Sequence, residues 1–226
     1  MNLQEHYTNL YKASVHKIKS GAYDIDYNIH NDQDDRFGLS LIIKPPESVK
    51  NEIQKFLTEL RTVAPNQYYY PDTDIHITLL SIISCYEGFD KSTLNLQDYI
   101  KLIKTSLIDA GEMQICCKGI TASPSCVLIQ GFPTDQGIHL LRNKIRTDIR
   151  NANLKESMDE RYLIQTAHAT VFRFSDTLEH HDKFLSILDS YRNRNFGSFK
   201  VDQLHLVYND WYHREHRSET LYKFEL

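Results

Sequence analysis

DIHITLL at residues 74–80 and TAHATVF at residues 166–172 each set a histidine two places before a threonine inside an apolar, β-prone run, about a hundred residues apart. In an extended strand, residues i and i+2 point to the same side. His76 and Thr78 therefore share one face, against Ile75, Ile77 and Leu79 on the other. His168 and Thr170 share a face against Ala167, Ala169 and Val171. If both faces turn toward one cleft, two imidazoles and two hydroxyls surround a single point. Imidazole titrates near neutrality, so one ring can serve as base while the other serves as acid. The hydroxyls can donate hydrogen bonds to non-bridging phosphate oxygens, where negative charge builds in the transition state. This set suits phosphodiester chemistry without a metal. A 2′,3′-cyclic phosphate fits it: one histidine activates water, and the other protonates the departing ribose oxygen. Run backwards, the same pair joins a 2′-hydroxyl to a cyclic phosphate end. One His-x-Thr in a strand says little, because threonine is β-prone. A second copy at the matching place of a repeated unit says more, since a buried unpaired imidazole costs free energy.

The repeat lies in the elements around the motifs. LSLIIKPP alternates and stops at a double proline, which predicts a strand and a break. Val49, Ile53, Phe56, Leu57 and Leu60 then fall on one helical face, ahead of the strand-like DIHITLLSII. After a strand at MQICCKGI, the second half answers in the same order: the strand SCVLIQGF running into LIQGFP, a helix on Ile138, Leu141, Ile145 and Ile149, then the strand YLIQTAHATVFRF. Pro45 precedes His76 by 31 residues, and Pro133 precedes His168 by 35. Further helices are predicted over residues 3–18, over Leu96–Leu107 ending near Gly111, and over HDKFLSILDSY. The closing VDQLHLVYND and ETLYKFEL read as strands joined by the polar turn HREHRS. Internal repetition constrains a fold strongly. The order predicts an α+β, bilobal, pseudo-twofold fold, with mostly antiparallel sheets around a central cleft and helices outside. Residues 1–36 read as an N-terminal helix and an acidic loop, and residues 37–226 as a single bilobal domain without a Pro/Ser/Gly linker.

Two H-x-[ST] motifs on strands at about this separation resemble the 2H phosphoesterase superfamily, which includes the 2′-5′ RNA ligase-like proteins and cyclic nucleotide phosphodiesterases. The likeness spans most of residues 37–226, through HIT, HATVFR and the closing LVYNDWY…LYKFEL. It implies a bilobal α+β fold with both motifs lining the cleft. It implies His76 and His168 as the catalytic pair and Thr78 and Thr170 as phosphate-binding hydroxyls. Family second motifs often continue H-x-T-x-x-R, and Arg173 fills that place as a substrate-binding residue. Strict alternation directs Arg173 away from His168, so it reaches a phosphate only if the strand ends or bulges there; otherwise it is a surface arginine in an ion pair.

Other candidates read more plainly. His213 and His216 form H-x-x-H in YHREHR, a hairpin tip with no cysteine or acidic ligand pattern beside it, so no metal is expected. His205 lies on a predicted strand without a threonine partner and reads as a hydrogen-bonded core or edge residue. QYYYP at 67–71 reads as core and loop anchoring, with base stacking as the alternative. NDQDDR reads as a solvated loop rather than a closure over the cleft. No P-loop, dinucleotide fingerprint or Ser-His-Asp elbow is present, in keeping with only eight glycines. No cofactor is expected.

The 226 residues suffice for one substantial core. A formal net charge of −4 with no long Lys/Arg run argues against a long duplex and leaves a nucleotide or short oligonucleotide as partner. No apolar run approaches a membrane span and no signal-peptide core is seen. Four cysteines without CxxC spacing read as reduced thiols. A cytoplasmic monomer is expected. The rival functions are a non-catalytic module that binds RNA ends or nucleotides on the same fold, and a metal-dependent hydrolase.

Overall fold

The computed structural model describes residues 2–160 and 163–226. In chain order the elements are α1 (Leu3–Lys19), β1 (Arg36–Ile43), α2 (Glu47–Arg61), β2 (Tyr68–Tyr69), β3 (Ile77–Glu87), α3 (Leu96–Leu107) and β4 (Gln114–Ala122). They continue with β5 (Cys126–Pro133), α4 (Gly137–Asn151), β6 (Ala169–Arg173), α5 (His181–Ser190), β7 (Asn195–Lys200), β8 (Gln203–Asp210) and β9 (Glu219–Glu225). The strands form two sheets, ordered β3-β1-β8-β9 and β2-β6-β5-β4-β7. Every pairing is antiparallel. Set β2 aside and the orders correspond strand for strand: β3, β1, β8 and β9 against β6, β5, β4 and β7. This is the α+β, two-lobed, pseudo-twofold arrangement expected from the repeat.

The helices cross between lobes. α2 links β1 to β3 of the first sheet, yet packs on β6, β7 and α5 of the second. α4 links β5 to β6 of the second sheet, yet packs on β3 and α3. The apolar face of α2 explains its seat: Val49, Ile53, Phe56, Leu57 and Leu60 are all buried, and Phe56 meets Phe196 of β7 edge-on at 6.1 Å. α1 lies on β4 and α5. It is tied there by the Thr121 hydroxyl, which donates to the Tyr7 carbonyl at 2.8 Å, and by the Ser14 hydroxyl, which donates to the Ala122 carbonyl at 2.7 Å.

Two elements differ from the sequence reading. The strand predicted over YLIQTAHATVFRF shrinks to the five residues of β6, and residues 163–168 are irregular; Tyr162, at the start of that run, lies outside the described residues. Side chains of α4 take the place of a strand partner there. Arg142 Nη2 donates to the Thr166 carbonyl at 2.6 Å and Arg146 Nη2 to the Ile164 carbonyl at 3.0 Å. The strand β7 was not anticipated from NFGSFK. Phe196 and Phe199 are both buried at a spacing of three, because an extra residue beside Gly197, at φ 117°, interrupts the alternation.

Candidate active site

A cleft of about 250 Å³ is lined by His76, Thr78, His168, Thr170 and Arg173 together. β1 and β8 contribute Ser40 and Asn209, β3 contributes Ser81, Ser84 and Cys85, and the turn after β8 contributes Trp211, Tyr212 and His213. Each histidine sits one residue before its strand rather than within it. The apolar partners lie as expected on the opposite side: Ile75, Ile77, Leu79, Ala167, Ala169 and Val171 are all buried.

The bulges decide which side chains follow the motifs into the cleft. In the β5–β6 ladder, Val127 faces Phe172 while Leu128 faces Thr170, so Val171 is an extra residue. One inserted residue reverses the alternation beyond it. Arg173 therefore returns to the face of Thr170 and enters the cleft, correcting the direction that strict alternation assigned. The first lobe repeats the device. Leu41 faces Leu80 and Ile42 faces Thr78, leaving Leu79 as the extra residue, and Ser81 enters the cleft at the place that Arg173 fills in the other lobe.

Both motifs are gripped by one buried side chain. Arg142, 1% exposed, donates from Nε to the Leu79 carbonyl at 2.7 Å, and from Nη2 to the carbonyls of Thr78 at 3.2 Å and Thr166 at 2.6 Å. It thus ties the first bulge to the residue two places before His168. Beside this grip the Ala167 backbone passes close to β5, which Gly131 admits, since a Cβ there would lie 1.7 Å from the Ala167 carbonyl oxygen.

The two imidazoles have different Nδ1 partners. His76 Nδ1 lies 2.7 Å from the Asp74 carbonyl. A carbonyl only accepts, so Nδ1 carries the proton and Nε2 of the neutral ring is bare. His168 Nδ1 lies 2.7 Å from Thr166 Oγ1, which can donate or accept. Burial lowers the His76 pKa to about 4, aided by the charges of Lys44 and Arg173. Burial also lowers His168 to about 4, with His76 and Arg142 adding to it. Burial thus keeps both rings neutral at pH 7.

Arg173 is held rather than loose. Its Nε donates to Tyr70 Oη at 2.9 Å and its Nη1 lies 3.8 Å from Asp26 Oδ2. Burial works against its charge, but Tyr70, Cys126 and Asp26 outweigh this and raise its pKa. Arg173 thus lines the cleft and pairs with Asp26, and it is half-buried rather than the surface arginine of the alternative reading. Tyr70 and Tyr69 of QYYYP are buried, and Tyr70 serves as the anchor of Arg173. The N-terminal connection also reaches the cleft: Asp26 Oδ1 accepts from Tyr212 Oη at 2.8 Å. Within NDQDDR, Asp34 is buried and bound to Arg36 at 2.6 Å, so that stretch is docked rather than wholly solvated.

Sequence reasoning misplaced His213. It does lie in the hairpin connection between β8 and β9, but its ring turns inward, 4.0 Å from that of His76, centroid to centroid, while His216 is exposed. The only sequence signal was its place just after WY in the closing motif. Among the described residues, no three His, Cys, Asp or Glu side chains converge as a metal site. His205 is buried as expected, but its Nδ1 has no partner among the described residues. No helix among the described residues is long and apolar enough to cross a membrane.

No family model and no curated protein matches the chain. Solved structures do. TT0787 of Thermus thermophilus superposes with a TM-score of 0.57 at 16% identity, covering 84% of this chain and 97% of its own. E. coli LigT complexed with 3′-AMP gives 0.56 at 13% identity, covering 84% and 98%. A structure described as a phosphoesterase gives 0.55 at 13% identity, also covering 84% and 98%. At such identities the likeness is one of architecture, and the chain has the fold of the 2H phosphoesterases, the superfamily that its two His-x-Thr motifs resemble.

Proposed function

We propose that the protein is a metal-independent phosphodiesterase acting on 2′,3′-cyclic or 2′-5′-linked phosphodiesters of nucleotides or short RNA. One observation carries this reading: the imidazoles and threonine hydroxyls of both His-x-Thr motifs line a single cleft with one guanidinium. Arg173, Thr78 and Thr170 bind the phosphate oxygens, and His76 and His168 move the protons. Burial keeps both rings neutral, so the acid forms only once the substrate is bound and His168 takes up a proton. A phosphodiester anion beside an imidazole favours the charged ring and raises its pKa. LigT, whose structures hold 3′-AMP, ATP and phosphate, supports a nucleotide phosphate as ligand. The neutral imidazoles also favour a second reading, a module that binds RNA ends or nucleotides through hydrogen bonds without transferring protons.

Turnover of 2′,3′-cyclic mononucleotides, 2′-5′ dinucleotides and cyclic oligonucleotides, measured in EDTA, separates the two. The expected outcome is cleavage by wild type and a loss of about 10²–10⁴-fold in His76→Ala and in His168→Ala. Full turnover by both single variants would sink the two-histidine mechanism. Tight binding with no cleavage would favour the binding module, and activity lost in EDTA and restored by zinc or manganese would favour a metal-dependent hydrolase.

A further inference from the structure

His213 enters the cleft from an unusual backbone. Its φ is 57°, a left-handed conformation uncommon for a residue with a side chain. The turn around it is fastened at several points. Asp210, buried, accepts the Arg214 backbone N–H at 2.8 Å on Oδ1 and the Arg214 Nε–H at 2.6 Å on Oδ2. Arg214 Nη1 reaches the Ile29 carbonyl at 3.2 Å. The Glu215 N–H donates to Asp74 Oδ1 at 3.0 Å. Strained conformations persist where the surroundings over-determine them, and they cluster at functional sites. Asp74 acts on both rings: its carboxylate anchors the His213 turn, and its carbonyl takes the Nδ1–H of His76. The His213 ring then covers His76, with the two planes inclined by 31°.

We infer that His213 is a positioning residue for His76: its ring covers one face of that imidazole and keeps the bare Nε2 available to the cleft as the general base, which leaves proton donation to His168. This rests on the phosphodiesterase reading above. In the hydrolytic step, a water oxygen forms the new bond to phosphorus and its proton passes to Nε2 of His76. The bond from phosphorus to the ribose oxygen breaks, and that oxygen takes the proton of His168. His76 ends charged and His168 neutral, and exchange with solvent restores both.

The charged and titratable groups facing this pair are the cations Lys44 and Arg173, the neutral ring of His168, and Asp74, Asp210 and Glu215 on the acidic side. Burial is the largest influence on His76, and the His213 ring is part of that burial. Without this cover, water reaches His76, and the ring takes up its proton at a higher pH.

The pH dependence of kcat/KM tests this, since its acidic limb reports the free enzyme's base. Asn and Gly both accept positive φ without a steric clash. In His213→Asn and His213→Gly the limb should move up by about one pH unit or more. His213→Phe keeps a ring over His76 and should leave the limb in place. Thermal melting identifies any variant that fails to fold, and if the Phe variant does, Asn and Gly decide alone. Histidine NMR titration of His76 in the same proteins, its signal assigned with His76→Gln, reads the same midpoint without turnover. A wild type with no activity would thus count against the phosphodiesterase reading while leaving this test intact. A midpoint unmoved in Asn and Gly overturns the inference, and so does a midpoint moved as far by Phe as by Gly.

Discussion

His76 and His168 stand at matching places in the two lobes, each two residues before a threonine and three before a bulge. Their surroundings are not alike. The Nδ1 of His76 meets a backbone carbonyl, which permits only one neutral tautomer. The Nδ1 of His168 meets the Thr166 hydroxyl, which permits either. His76 is covered by a third imidazole. His168 instead borders a small, mostly apolar hollow formed with His6, Tyr7 and Leu10 of α1 and with Leu128, Leu163 and Ile164. Beyond the bulges, one lobe presents Ser81 and the other Arg173. A repeated backbone places two equivalent rings at one point, and unequal decoration makes them chemically distinct. In the proposed mechanism this asymmetry divides the roles of base and acid between them.

The position after the bulge offers the largest break in this comparison. Under the proposed phosphodiesterase function, Arg173→Leu removes a cation from the lining of the cleft and should lower kcat/KM by about 10²–10³-fold on whichever phosphodiester the wild type turns over. Ser81→Ala, at the counterpart position, should stay within about twofold. Arg173→Lys should recover little, because a lysine loses the planar fork and the Nε–H that Tyr70 holds. Equal effects at positions 81 and 173 would show that the lobes share phosphate binding evenly.

A smaller effect sharpens the tautomer contrast. Thr166→Val removes the hydroxyl partner of His168 and keeps the side-chain volume. The expected result is a loss of about tenfold in kcat, the size of one hydrogen bond, with little change in melting temperature. No side-chain substitution can do the same at His76, whose partner is main chain. Unchanged kcat in Thr166→Val would mean that His168 needs no fixed partner, and the distinction between the rings would lose its footing.

The last effect is on stability rather than turnover. Both histidines titrate near 4 in the folded protein, against about 6.5 for a free imidazole. Between those values the unfolded chain binds more protons, so their contribution is complete above about pH 6.5 and is lost as pH falls toward 4. Urea unfolding at pH 7.5 and pH 5 should show wild type weakened at the lower pH by about 4 kcal/mol, roughly half of it from each ring. The His76→Gln/His168→Gln double variant should show a visibly flatter response. An equal pH response in both would place the acid sensitivity elsewhere.

Much of the site was legible before the fold. The alternation around His76 and His168 marked their side of the strand, and burial of Ile75, Ile77, Ala167 and Ala169 agrees with it. The helical faces of α2 and α4 were readable from their apolar spacing, and both are buried as read. The irregular stretch before β6 was not legible, because its carbonyls are satisfied by Arg142 and Arg146 from a helix about twenty residues away. Nothing in a local pattern announces such a partner. His213 was missed for the same reason: H-x-x-H in a polar turn describes an exposed tip, and only the Asp210–Arg214 and Asp74–Glu215 bonds turn that tip inward.

What the chain alone determined was the pair of motifs, the repeat that carries them and the chemistry that two imidazoles and two hydroxyls suit, because side-chain type and strand or helix period are local properties. Only the tertiary structure decided that α2 and α4 cross to the opposite lobe, that single extra residues at Leu79 and Val171 swing Ser81 and Arg173 into the cleft, and that His213 covers His76. A bulge changes the facing of every later residue without changing the residues themselves, and a contact between distant segments leaves no period in either of them.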